Sequence, residues 1–175
     1  LLIFKNNFQN IDFSNSNFIS NSEFTFDLNK KFKIKNLKIS SKLNFDDLIL
    51  KYESYKIKNF IKNYSNLINF KKSEINFKYS DEKFLIDGSS EYYIDKNFKD
   101  LIKFKIENSK NKTKFETFLN LKNLELMVSD IAYKKIQDDE ATIQINGFKN
   151  NKKIFFNRIY YKEGDNKIEL NNLEI

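Results

Sequence analysis

The chain has 175 residues and a net charge of +7, carried almost wholly by lysine, with Arg158 as the single arginine. It contains no His, Cys, Pro or Trp and only three Gly. Those absences exclude disulfide scaffolds, cysteine zinc sites, thiolate or Ser-His-Asp nucleophiles, and glycine loops for phosphate.

The length suffices for one domain with a core. No run of about 18 apolar residues could span a bilayer as a helix, and no signal-peptide pattern is present. The chain starts at Leu1 rather than Met and stops at Ile175 inside a strand-like pattern. It is therefore expected to be one segment, 1–175, of a longer repetitive protein. Phe, Ile, Lys and Asn dominate, which AT-rich codons specify. Lysine content alone is thus a weak pointer to nucleic acid, and a phosphate reader is expected to use more arginine.

Period-two alternation runs along most of the chain and predicts strands. Phe24, Phe26 and Leu28 alternate first. "FKIKNLKI" follows at 32–39, and then "KLNFDDLILKY", with Leu43 and Phe45 before Asp46-Asp47 and Leu48, Leu50 and Tyr52 after it. One stretch departs from period two. Ile57, Phe60, Ile61, Tyr64, Leu67 and Ile68 follow helical spacing and predict an amphipathic helix over about 54–70. Strands resume with Ile75, Phe77 and Tyr79, a turn at Asp81-Glu82, and Phe84 and Ile86 up to Gly88. Tyr92 and Ile94 come next, then Ile102, Phe104 and Ile106. A polar turn at "NSKNK" precedes Phe115 and "LNLKNLEL" at 119–126. Ala141, Ile143 and Ile145 lead to a turn at "KNNK". Ile154, Phe156 and Tyr160 lead to a turn at "EGDN" and to "IELNNLEI" at 168–175.

One figure occurs three times: an alternating pair, an Asn, and an alternating pair on the opposite parity. An extra residue in a strand sends every later side chain to the wrong face unless the strand bulges there. Asn tolerates the left-handed conformations a bulge requires. Bulges at Asn36, Asn123 and Asn172 would keep Ile34 with Leu37, Leu121 with Leu124, and Leu170 with Leu173 on one face, and would curve the sheet. The expected fold is mostly β: a curved, bulged antiparallel sheet with one short helix.

A sheet with one apolar face must cover it. A closed core does so, as in a structural or adhesive surface domain. A membrane barrel does so with lipid outside, but it needs a polar lumen and aromatic girdles, whereas here the aromatics are spread along the strands. An open trough does so with apolar ligand. The alternating strands, the φ-x-φ-x-Asn-Leu-x-φ endings, the turns "FKNNKKI" and "KEGDNKIELNNLEI", and the step Phe84-Leu-Ile-Asp-Gly88 resemble the AsmA-like family over about residues 23–175. That resemblance implies a β-groove reaching through the periplasm from an inner-membrane anchor outside this segment. It also implies a part in phospholipid transport between inner and outer membranes, with acyl chains as the partner, no catalysis and no cofactor. The helix near 54–70 is not a hallmark of that family. The wall residues expected to face the chains flank the slips: Ile34, Leu37, Ile39, Leu119, Leu121, Leu124, Leu126, Ile168, Leu170, Leu173 and Ile175.

Other chemistry has thin support. Asp46-Asp47 and Asp138-Asp139-Glu140 are the tight carboxylate clusters and read as solvated turns, without a calcium-loop glycine or a second cluster at ligand spacing. Ser89-Ser90 lacks a base partner and reads as a strand edge or turn. Tyr92-Tyr93 and Tyr160-Tyr161 place one ring on each face of a strand. The lysine pairs at 30–31, 71–72, 134–135 and 152–153 form no continuous stripe. They read as edge protection or as a rim for anionic headgroups, and a nucleic-acid surface is the other class they leave open.

Overall fold

The computed structural model describes residues 11–12, 16–53, 55–61, 64, 66–94, 99–150 and 153–175. In chain order, β1 (Ile11–Asp12) and β2 (Phe18–Leu28) precede the 18-residue β3 (Ile34–Lys51) and the six-residue helix α1 (Tyr55–Phe60). β4 (Leu67–Ser80), β5 (Lys83–Tyr93), β6 (Asp100–Ser109) and β7 (Lys112–Asn120) follow as a meander. A small hairpin, β8 (Leu126–Val128) and β9 (Tyr133–Lys135), interrupts before β10 (Ala141–Asn150), β11 (Lys153–Glu163) and β12 (Asn166–Glu174). Ten strands form one antiparallel sheet in the order β1-β3-β4-β5-β6-β7-β10-β11-β12, with β2 also on β3. The hairpin β8-β9 is a separate two-stranded sheet. β12 does not return to β2, so the sheet is open rather than a barrel.

The helix expected over 54–70 is shorter. Asn66 takes a left-handed φ of 61°, which ends helical continuation, and Leu67 and Ile68 belong to β4 opposite Lys51 and Leu50. Ile68 and Phe70 also fit period two. Ladder bonds along β3 then outweigh a weak helical preference in an Asn-rich stretch.

The pairing registers put the apolar residues on one face. One row runs Ser20, Leu43, Ile75, Gly88, Phe104, Thr117, Ile145, Ile159, Leu170, from edge to edge. A parallel row runs Ser41, Phe77, Ile86, Ile106, Phe115, Gly147, Phe156, Leu173. A third runs Ser90, Ile102, Leu119, Ile143, Tyr161, Ile168. The opposite face is laced with ion pairs, including Lys42–Glu74 at 4.0 Å, Lys99–Glu91 at 2.9 Å and Arg158–Glu169 at 2.8 Å, but it also carries Leu85, Phe118 and the stacked rings of Phe148 and Phe155.

The slips preserve these rows. Asn36 has φ 52°, and β3 advances three residues there while β2 advances two. Lys72 has φ 50° and lies across from Asp46. β3 and β4 slip together at that point, and the offset is absorbed between β4 and β5. Asn172 has φ 57° and lies across from Asn157. β11 and β12 slip together, and the offset is absorbed between β10 and β11. Asn36 and Asn172 are therefore irregular points of strands, as their sequence figures imply.

Asn123 differs, because β7 ends at Asn120 and Asn123 sits in a turn where the Leu124 N–H donates to the Leu121 carbonyl at 3.2 Å. There the chain leaves the sheet instead of bulging. Phe32 also lies outside the strands, at φ 57° in the turn before β3. Ser89 and Ser90 are interior to β5 rather than at an edge, and Ser90 is buried with its hydroxyl 2.9 Å from that of Ser73.

Gly147 stands where a register offset is absorbed, and Gly88 lies next to Ser89, at the end of another. A Cβ on Gly88 would meet the Glu74 carbonyl oxygen at 2.5 Å, and one on Gly147 would meet that of Phe155 at 2.1 Å. The rings of Phe104 and Phe115 lie against these two positions.

A β-branched side chain is strained at positive φ by roughly 1–2 kcal/mol. Replacing Asn36 or Asn172 with Val is expected to lower stability by about that amount, whereas Gly is expected to be neutral within about 0.5 kcal/mol. Urea unfolding of the four variants checks this, and equal loss with Gly and Val would remove the bulge argument.

Candidate functional site

The accessible surface is 13185 Å² for 21.0 kDa. A compact monomer of that mass exposes about 9,000 Å². Among the described residues no second layer lies over most of the apolar face, which contributes to that excess. Among the described residues, the buried apolar side chains are Tyr64, Tyr92, Leu121 and Ala141. Ile75, Phe77, Ile86, Ile106 and Phe115, in mid-sheet, are only half-buried.

One end of the face is roofed. Ile57, Phe60 and Ile61, in and just after α1, lie over Ile68 and Phe70 of β4, Tyr92 of β5, Ile102 of β6 and Leu119 of β7. Leu121, Leu124 and Leu126 complete the roof, and an isolated bridge ties Ile61 to Leu126. The space beneath is a partly open pocket of about 400 Å³, with Ile94, Ile143 and Tyr161 as its remaining lining. That volume is at the lower end of small-ligand pockets.

The expected wall residues fall into three groups. Leu119, Leu121, Leu124 and Leu126 meet in this cavity. Ile168, Leu170, Leu173 and Ile175 lie along the free edge, 41–72% exposed. Ile34, Leu37 and Ile39 lie near the other edge, where Ile34 is 57% exposed and Leu37 and Ile39 are half-buried. The sheet joins the groups through its rows, since Leu119 and Ile168 share one and Leu170 ends another. The mid-sheet residues Ile75, Phe77, Ile86, Phe104 and Ile106 form the rest of the wall. Their plain alternation carried the signal, but only residues beside slips were singled out.

A polar fastening holds the roof, and nothing in the sequence figures announced it. Lys135 is completely buried, and its Nζ donates to the carbonyls of Ile136 at 2.8 Å, Lys122 at 2.9 Å and Leu124 at 3.0 Å. Burial lowers its pKa, while Asp139 and Asp100 counteract that shift. Asp100 opens β6 and lies across from Tyr92 on the apolar face. Its carboxylate accepts the Asn123 backbone N–H at 3.0 Å and also the Asn123 Nδ2 at 3.3 Å. Desolvation pushes the Asp100 pKa up to about 6 despite these bonds. The Tyr92 hydroxyl donates to the Asn120 carbonyl at 2.6 Å, and Tyr133 joins Tyr161 and Glu163 at 2.6 Å each. Lys122 pairs with Glu140 at 2.8 Å, so part of the acidic run 138–140 closes the same loop.

No group of three or more carboxylates that could hold a metal ion occurs among the described residues. No helix of the described residues is long and apolar enough to cross a membrane. No protein-family model, curated protein or solved structure matches the chain.

Replacing Lys135 with Met leaves three buried carbonyls without their donor. It is expected to destabilise by about 3–5 kcal/mol, as when one partner of a buried charged contact is removed. Urea unfolding checks it, and a loss under about 1 kcal/mol would mean the ammonium is not the fastening.

Asp100 gives a pH signature. Its folded pKa is above its unfolded value, so the folded state holds more protons between about pH 4 and 6. The contribution of Asp100 to stability is fullest below pH 4 and is lost as pH rises through 6. Subtracting the unfolding free energy of Asp100→Asn from that of the parent is expected to give a difference that falls across this window. A difference that is flat or rises contradicts the assignment.

Proposed function

We propose that this chain is a non-catalytic segment of an AsmA-like groove protein of the periplasm. Its apolar face would shelter phospholipid acyl chains on their way between inner and outer membranes. The inner-membrane anchor would lie outside these 175 residues. The single observation that carries this reading is the apolar face itself. It runs through the sheet in mostly apolar rows, interrupted by Ser20, Ser41, Ser90 and Thr117, and stays open along most of its length. Phe18, Phe24 and Phe26 on β2 are 50–61% exposed, and Leu170 and Leu173 on β12 are 41–50% exposed. In a trough whose axis crosses the strands, such edges are the places where the wall continues.

The energetics suit passage rather than capture. Each CH₂ removed from water contributes about 0.8 kcal/mol, so a chain sheltered along its whole length is strongly favoured over one in water. Along the open part of the face the wall is mostly Ile, Phe and Leu, repeated from row to row, which favours passage over capture at one position. The lysines are better placed for solubility than for nucleic acid. Lys42, Lys72, Lys99, Lys105 and Lys114 on the polar side each pair with a glutamate, which leaves no uninterrupted basic track for a phosphate backbone.

The test is mass spectrometry of organic extracts from protein purified out of a diderm bacterium, with two variants beside the parent. The parent is expected to carry diacyl phospholipid. Ile106→Asp sits on the open part of the face, where the carboxylate can reach water, so the protein is expected to stay folded and lose its lipid. Leu121→Asp sits in the roofed cavity and is expected to destabilise by about 3–5 kcal/mol. A parent free of lipid that also fails to take phospholipid from vesicles would reject the proposal. Unchanged lipid in folded Ile106→Asp would reject this face as the binding surface.

A further inference from the structure

β2 and β3 run on together past their neighbours. β4 leaves β3 after the Ile39–Tyr79 pair, whereas β2 stays with β3 out to Leu28 and Ile34. The hairpin therefore projects roughly 10–15 Å beyond the turn between β4 and β5. Its tip is held by four hydrogen bonds. The Phe32 N–H donates to the Asn29 carbonyl at 2.9 Å, and the Asn29 N–H donates to that of Lys33 at 3.1 Å. The Asn29 Oδ1 accepts the N–H groups of Lys31 at 2.8 Å and Lys33 at 3.0 Å. A three-residue hairpin loop of this kind ends on a left-handed residue, ordinarily Gly. Here that residue is Phe32, at φ 57° and 84% exposed. The other non-glycine positions at positive φ among the described residues are Asn, Asp, Glu, Lys or Ala. A bulky residue is strained at such a φ, and a ring so exposed recovers little by packing. Around it stand Lys30, Lys31, Lys33 and Lys35, all exposed and without an ion pair among the described residues. The nearest carboxylate of the arm, Asp27, accepts the Asn36 Nδ2 at 2.7 Å.

We infer that the β2–β3 tip docks on the surface of an anionic bilayer, with the Phe32 ring at headgroup depth and the four lysines on lipid phosphates. The strain at Phe32 is then kept for what the ring does outside the chain. An apolar side chain set among lysines is the composition that partitions into a negatively charged membrane interface. Single-stranded nucleic acid is held by a groove that tracks its backbone, and a projecting tip offers none. The field favours the same orientation. Lys83, Lys110 and Lys149 at the neighbouring turns of this end outnumber Asp81 and Glu82, whereas Asp138, Asp139, Glu140, Glu163 and Asp165 stand at the opposite end of the strands. An anionic surface therefore draws the tip toward itself. This contact is separate from the acyl-chain face and does not rest on it.

The chain has no tryptophan, so Phe32→Trp places a single reporter at the tip. Its emission is expected to shift to the blue with vesicles of phosphatidylcholine and phosphatidylglycerol, to be quenched by bromine placed near the glycerol end of the acyl chains, and to stay unshifted with phosphatidylcholine alone. High salt is expected to weaken the response, because the attraction acts within about 10 Å at 0.1 M ionic strength. A lysine near an anionic surface contributes about fivefold in affinity, so adding Lys30→Gln, Lys31→Gln and Lys33→Gln together is expected to weaken binding about a hundredfold. Phe32→Asn is expected to reduce cosedimentation with the anionic vesicles by roughly fivefold or more. Its urea midpoint is expected to hold or rise, since Asn tolerates this φ, and a merely structural ring would not give that combination. Asp165→Trp, at the opposite end, is expected to keep the emission of a ring in water. In Ile106→Asp carrying Phe32→Trp the blue shift is expected to persist, so failure of the acyl-chain face and failure of the tip are read separately. No shift of Phe32→Trp with anionic vesicles overturns the inference. So does an equal shift with phosphatidylcholine alone, a response that survives loss of the three lysines, or a response to short duplex DNA in place of the vesicles.

Discussion

A sheet with one apolar face can absorb an extra residue only where the backbone turns over at that residue. Asn36, Lys72 and Asn172 do so at φ 50–57°. Everything else depends on it. Without the turnover at Asn172, Leu173 and Ile175 would point with the lysines and glutamates; without that at Lys72, Phe70 would part company with Ser73 and Ile75. Two of the slips occur in pairs of adjacent strands, and each pair ends at a glycine strand. The offset from β4 is absorbed between Ser89 and Glu91, beside Gly88, and Gly147 takes the one from β11. A side chain at either position would collide with a carbonyl oxygen, which explains why two of three glycines in a glycine-poor chain stand there.

The consequence is a molecule with little core of its own. Its stability comes from long ladders, from one roofed end, and from the polar fastening beneath that roof. Lys135 and Asp100 are the groups whose burial makes the fastening strong and pH-dependent. The rest of the apolar face is half-buried by its own curl and neighbours. Apolar surface left open on this scale marks a place where something else binds.

Much of this was legible in the chain. Strands β2 to β7 and β10 to β12 follow from period two, and the bulges at Asn36 and Asn172 follow from the parity change. Where the same figure misled, at Asn123, the local chemistry was different. Asp100 captures the Asn123 N–H and Nδ2, and a turn replaces the bulge. That capture depends on a residue 23 positions earlier, which no local pattern displays. The helical spacing extends too far because Ile68 satisfies both periods, and only pairing with β3 decides between them. The slip at Asn157 was hidden because Phe156 and Tyr160 seemed to alternate, although Tyr160 faces outward beside Arg158 and Ile159 and Tyr161 are the inward residues. Lys135 looked like half of a surface lysine pair. Its burial is fixed by three carbonyls that come together only when the 121–125 segment folds back over the hairpin.

The central claim is that the continuous apolar face, and not the charged one, is where acyl chains lie. The most direct measurement uses a phospholipid bearing a photoactivatable group in its acyl chain, loaded onto the protein, with crosslinked residues mapped by peptide mass spectrometry. The account predicts adducts along the rows, at residues such as Leu43, Ile75, Phe104 and Ile159. It predicts none at Lys42, Asn76 or Lys103 on the opposite face. Adducts distributed equally over both faces, or confined to the charged one, would contradict it.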